Sequence, residues 1–282
     1  MSDVSRETEM LPKPASPRAI VVANQKGGVG KTTTAVNIAS ALARGGLQVL
    51  LIDLDPQGNA STALGVEHRS GTSGTYEVLL AQVPIADVIK ASPESDNLKV
   101  VPATIDLAGA EIELVPQVAR EQRLKKAITK YQKDHEVDYL IFDCPPSLGL
   151  LTLNALVAAS EILIPIQTEY YALEGVTQLL RTIQLVTEEL NPDLELSTVL
   201  LTMFDARTKL SAQVGEEVRR HFAKQTLMTL IPRSVRLSEA PSYGTTIFGY
   251  DPLSVGAKAY RKAAAEIASR GAKRAEEELY GN

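Results

Sequence analysis

Residues 24–33 read Asn-Gln-Lys-Gly-Gly-Val-Gly-Lys-Thr-Thr, a run whose residue types suit the holding of a phosphate. Gly27, Gly28 and Gly30, with Val29 among them, let backbone N–H groups close around phosphate oxygens. A helix that follows presents its positive end to the same oxygens. At this spacing Lys31 reaches the β- and γ-phosphates of a nucleotide and the Thr32 hydroxyl ligates Mg²⁺, with Thr33 beside it in the cradle. The usual pattern asks for glycine at position 25, where this chain has Gln25. A further lysine, Lys26, stands five positions before Lys31. A dinucleotide fingerprint fails, because its third glycine would fall at Thr33.

Two carboxylate groups accompany this loop. Asp53-Leu54-Asp55-Pro56-Gln57-Gly58-Asn59 follows an apolar run, and Pro56-Gln57-Gly58 is good turn chemistry. Aspartates beside a triphosphate can orient water or bind the metal shell, since phosphoryl transfer rests on positioning and charge neutralisation. Tyr139-Leu140-Ile141-Phe142-Asp143 reads as a strand ending in a magnesium-side carboxylate, Asp143. Cys144, Pro145 and Pro146 come next, where many fast ATPases place a general-base glutamate. Slow intrinsic turnover that waits for an activator is the expectation. No histidine or helix N-terminus lowers the pKa of Cys144, which reads as a packing residue.

Such residues need a frame that brings them together. Apolar runs alternate with helical patterns from Ala19 to about Ala268, which predicts a βαβ succession: an α/β, single-domain parallel-sheet P-loop NTPase with helices on both faces. Strands are predicted at Ala19–Ala23, Gln48–Asp53, Leu98–Val101, Tyr139–Asp143, Ile162–Ile166, Thr198–Thr202 and Leu227–Ile231. Helices are predicted at Lys31–Ala43, Gln117–Lys133, Leu150–Ala158, Gly175–Leu190, Ser211–Lys224 and Ser254–Lys273. Sheets of this kind bind ligands at the carboxyl ends of their strands, where all three polar clusters begin. The expected domain is 18–272, between a disordered N-terminal tail (1–17) and a C-terminal tail (273–282).

Composition narrows the class. The 282 residues are 44% hydrophobic and 22% charged, as in an ordinary globular chain. No apolar run approaches the roughly 18 residues of a membrane span, and Met1–Pro17 has no apolar core of a signal peptide. One cysteine excludes intramolecular disulfides and suits a reducing cytosol. With three scattered histidines (His68, His135 and His221), it cannot build a zinc or iron–sulfur site within the chain. Net charge is −5, yet residues 205–236 carry seven basic side chains against three acidic ones, and residues 254–274 six against one. That asymmetry suits either solvated helix faces or a phosphate-backbone surface.

Lys-Gly-Gly-Val-Gly-Lys-Thr resembles the deviant phosphate loop of the ParA/MinD superfamily of ATPases. The resemblance extends through Val101–Thr104, Leu107–Glu111, Glu169–Gly175 and Arg236–Ser242 to chromosomal ParA (Soj) proteins, and covers about Arg18 to Ile267. It implies that ATP is the nucleotide and that Lys26 crosses a dimer interface to the partner's nucleotide. It further implies that Asp55 orients the attacking water, and that Arg207 and Arg236 bind double-stranded DNA without sequence preference. Pro232 is a candidate for the base pocket. The implied function is DNA segregation: an ATP-dependent homodimer with Mg²⁺, cytoplasmic and nucleoid-associated, released by a centromere-bound ParB-like partner. The tail before Arg18 is shorter than the N-terminal repressor domain of larger plasmid relatives. Two alternatives remain, a MinD-like membrane-cycling ATPase and an ATPase that positions a cargo other than DNA. The first needs a C-terminal amphipathic helix with bulky apolar anchors, which the alanine- and glutamate-rich end does not offer, so no membrane partner is expected. An iron protein on the same scaffold would need more cysteines than Cys144.

Overall fold

A computed structural model describes residues 10–170 and 172–280, with only the backbone of 174, 175 and 273–280. The strands are β1 (Arg18–Val22), β2 (Val49–Asp53), β3 (Lys90–Ala91), β4 (Leu98–Val101), β5 (Tyr139–Asp143), β6 (Glu161–Gln167) and β7 (Glu195–Thr202). The helices up to the middle of the chain are α1 (Lys31–Arg44), α2 (Asn59–Ala63), α3 (Thr75–Leu79), α4 (Ile85–Val88), α5 (Leu107–Glu113) and α6 (Arg123–Tyr131). The remainder are α7 (Leu150–Ala158), α8 (Glu174–Glu189), α9 (Lys209–His221), α10 (Val235–Glu239), α11 (Ile247–Tyr250) and α12 (Val255–Tyr280).

The strands form one sheet in the order β3-β4-β2-β5-β1-β6-β7, parallel except for the short edge strand β3. Alternate residues of every strand but β3 feed two separate cores. Val21, Leu140 and Phe142 join the core beneath α5–α8, while Ile20, Val22, Tyr139 and Ile141 join the core beneath α1 and α12. Burial on both faces is why these strands read as unbroken apolar runs. At the opposite end from the polar clusters, buried Arg18 donates to both oxygens of Glu161 (2.6 and 2.7 Å), to Tyr139 Oη and to the Ile267 carbonyl. That network ties β1 to β5, β6 and α12.

Several expectations need correction. Leu227–Ile231 is not a strand. It runs beside β7 and is held by Leu227 N–H to Val199 O and Ile231 N–H to Leu201 O, but between those points Met228 and Thr229 turn their N–H groups to the Glu266 carboxylate. The ladder is therefore broken into isolated bridges. The helix predicted over Gln117–Lys133 is confined to Arg123–Tyr131, preceded by a short 3₁₀ turn that Ala119 enters at φ 50°. Residues 10–17, expected in a disordered tail, lie against the domain: Leu11 N–H donates to Gly45 O, and Lys13 pairs with Glu136. Residues 1–9 fall outside the described part. The last helix continues to Tyr280, so the segment set apart as a C-terminal tail begins inside α12.

Candidate nucleotide site

The order β2-β5-β1 puts three polar strand ends side by side. Asp53 and Asp143 are register partners across β2 and β5, and Val22, just before the glycine loop, is paired with Asp143 across β5 and β1. Strand pairing alone thus converges residues separated by more than a hundred positions.

Neighbouring strands hold the loop open. Asn24 Nδ2 donates to Pro165 O (2.9 Å), its Oδ1 accepts from Lys26 N–H (3.0 Å), and the Thr202 hydroxyl donates to Val29 O (2.9 Å). Gly28 and Gly30 stand at φ 74° and 88°, a left-handed region that strains side-chain-bearing residues. A Cβ at either position, or at Gly27, would meet nothing within 4 Å. Backbone conformation therefore demands Gly28 and Gly30, and the space beside all three glycines is open. The α1 ladder starts with Thr34 N–H to Gly30 O, so the N–H groups of Lys31, Thr32 and Thr33 have no helical acceptor. These free donors at a positive helix end form an anion cradle.

The two lysines occupy different positions. Lys31 is buried at the first residue of α1, with Nζ folded back on the Lys26 carbonyl (3.4 Å). Burial lowers its pKa, against the pull of Asp143 and Asp55. The Lys26 ammonium is half-buried and pairs with Glu169, just beyond β6. The Glu169 partnership was not legible in the sequence, because the two residues are 143 positions apart. The residues share only a strand edge.

The aspartates also divide. Asp53 is fully buried and accepts from Ser61 N–H (2.9 Å), the Ser61 hydroxyl (2.7 Å) and Asp55 N–H (3.1 Å). Burial raises its pKa to about 6 despite those bonds. Asp53 is the clamp of its loop. Asp55 accepts from Gln57 N–H (3.0 Å), while Gly58 N–H closes the turn on Asp55 O (2.8 Å). Gly58 adopts φ 63°, and His68 packs against it. Both carboxylate oxygens of Asp143 are buried and, among the described residues, neither has a well-formed hydrogen bond, the Thr32 hydroxyl being the donor nearby. Burial first, and then Asp53, hold its pKa well above the ordinary range, while Lys31 opposes them. An orphaned carboxylate beside a threonine hydroxyl and a lysine suits a hard divalent cation, which needs only one or two protein oxygens when phosphates supply the rest. Cys144 is buried as expected, and burial pushes its thiol well up.

Pro232 lies at the end of β7, where Phe204 bridges it and Arg233 N–H donates to Phe204 O. Arg207 is exposed and makes a double contact with Asp205 (2.9 and 2.7 Å), which holds that carboxyl down at about 2. Arg236 leans on Glu239 (3.3 Å) and lies over the Tyr250 ring. Both arginines stand on segments next to the Phe204–Pro232 bridge, outside the phosphate cradle.

The family model described as an AAA domain matches residues 17–196. The sporulation initiation inhibitor protein Soj of Bacillus subtilis (strain 168) is 54% identical over 254 residues, 90% of this chain and 99% of that one. The chromosome partitioning protein ParA of Myxococcus xanthus is 52% identical over 90% of this chain and 88% of its own length. A solved structure named cobyrinic acid a,c-diamide synthase, from Mycobacterium smegmatis with bound ADP and magnesium, is 41% identical. It superimposes with a TM-score of 0.75 over 88% of this chain and 93% of that one. Identity is thus higher to the Soj and ParA proteins than to the synthase.

Proposed function

This chain belongs to the Soj/ParA family of chromosome-partitioning ATPases, and we propose that it works as a nucleotide-gated switch on DNA. It is an ATPase that uses ATP and Mg²⁺. The backbone donors of the glycine loop and Lys31 grip the phosphates within one subunit. Thr32 and Asp143 would hold the cation, which when bound would neutralise charge on the phosphates. Asp55, fixed by the turn that Asp53 clamps, orients the attacking water. Cys144, and not a general-base glutamate, follows Asp143, so basal turnover is slow and rises with a ParB-like partner.

The observation that carries the reading is the separation of the two lysines. Lys31 is buried at the start of α1, whereas the Lys26 ammonium is only half-buried and is paired with Glu169 instead. We read Lys26 as the residue that reaches the nucleotide of a second copy, which makes the ATP-bound form a homodimer. Dimerisation brings two weak basic surfaces, each with Arg207 and Arg236, to bear on one duplex. Their joint affinity exceeds that of either alone. Nonspecific double-stranded DNA is the partner, and nucleoid association follows from it.

Fluorescence anisotropy with a random-sequence duplex tests this. Binding should require ATP, fall steeply as salt rises from about 50 to 200 mM, and be lost in Arg207→Glu. ATP-dependent binding that survives Arg207→Glu would place the DNA surface elsewhere.

A further inference from the structure

Helix α6 packs beneath the sheet on the face opposite α1, and its outer side carries Arg123, Lys126 and Lys130. With the turn at Gln82–Pro84 these residues border a half-enclosed cavity of about 290 Å³. The cavity lies outside the nucleotide site and has no part in the mechanism above.

Its lining is built from fixed groups. Tyr131 is buried, and His135 stacks on it at 4.2 Å with planes 4° apart. His135 Nδ1–H donates to the Tyr131 carbonyl (3.1 Å), so Nε2 is an acceptor in the neutral ring and donates to an anion in the imidazolium. The Arg123 guanidinium is fastened by the carbonyls of Leu79 (2.8 Å) and Leu80 (3.0 Å) and by Gln117 (2.8 Å). Its Nε is buried and has no acceptor among the described residues. Lys126 and Lys130 stand one turn apart, and neither has a carboxylate partner among the described residues. Asp134 is the acidic residue of the lining, so three permanent cations face one carboxylate. Gln82, on the opposite wall, is held at φ 55°, a conformation strained for a residue with a side chain. Such strain gathers at ligand clamps.

We propose that this cavity is a second ligand site, which takes a small molecule bearing a phosphate or carboxylate group. Two lysines without a carboxylate partner, beside a half-enclosed, partly apolar hollow, favour a compact anion, because charge-assisted bonds strengthen where water is displaced. Its size suits a small metabolite, at the low end of ligand pockets. Lys126 and Lys130 supply the charge, Arg123 a preset guanidinium plane, and His135 a flat surface and a ring nitrogen.

The chain has three histidines, which makes imidazole NMR a direct reporter. Inorganic phosphate and citrate are titrated separately, at fixed pH and ionic strength, into the full chain and into Lys31→Ala, which removes phosphate binding at the glycine loop. One or both probes should shift His135 saturably in both proteins, with a Kd of about 1 mM or tighter, while His68 and His221 stay still. The double variant Lys126→Ala/Lys130→Ala should weaken that Kd about tenfold or more. No saturable His135 shift with either probe, or one that the double variant leaves unchanged, overturns the proposal. A response to a short DNA duplex and to neither small anion also overturns it, and makes α6 part of a polyelectrolyte surface instead.

Discussion

Residue types announced the phosphate chemistry because glycine and lysine each do something few other residues can. Gly28 and Gly30 take left-handed backbone angles, and Lys31 puts a buried ammonium at a helix start. The same reading could not rank the aspartates. Asp53 and Asp55 are chemically alike, and only the donors they meet separate a clamp with three bonds from a carboxylate with an oxygen to spare. Asp55→Ala should therefore slow ATP hydrolysis by about a hundredfold while nucleotide binding persists, and leave an ATP-loaded, DNA-bound form. Phosphate release and nucleotide retention measure the two effects. Turnover at the unsubstituted rate would remove the water-positioning role. Glu169 was beyond reach at this scale, since nothing in its local sequence points to Lys26.

Elements were legible where burial on both faces imposed continuous apolar runs. β1, β2, β4, β5, β6 and β7 all lie where such runs predict them, within a few residues at their ends. Leu227–Ile231 has the same look and fails as a strand because Glu266, on α12, takes the N–H groups that the ladder needs. A competing acceptor brought in by a distant helix leaves no mark on the local pattern. The antiparallel edge strand β3 has only two residues, Lys90 and Ala91, and both are exposed, so it carries no periodicity to read. The buried Arg18–Glu161 pair belongs to this scale, because it joins three strands to α12. Removing one partner strands the other charge in the interior. Arg18→Met should cost about 3–5 kcal/mol and lower the melting temperature by about 5–8 °C in calorimetry. An unchanged melting temperature would show that the pair is not sealed from water.

The whole molecule joins a nucleotide edge to an uneven charge distribution. An acidic chain with basic windows at 205–236 and 254–274 shows its asymmetry in the sequence. The same windows hide the neutralising partners. Asp205 sits on Arg207, and Glu239 sits on Arg236, so each arginine must exchange an internal carboxylate for any phosphate it binds. Lys26 is in the same condition, paired with Glu169 within its own subunit. A cation held this way can be released when a stronger anion is presented, and a second subunit's triphosphate is such an anion. The most direct measurement is sedimentation velocity with a slowly hydrolysed ATP analogue and Mg²⁺, on the unsubstituted chain and on Lys26→Ala, with nucleotide affinity measured alongside. The unsubstituted chain should sediment as a dimer and Lys26→Ala as a monomer, with both binding the nucleotide about equally. A Lys26→Ala chain that binds the analogue and still forms a stable dimer would contradict the crossing role of Lys26.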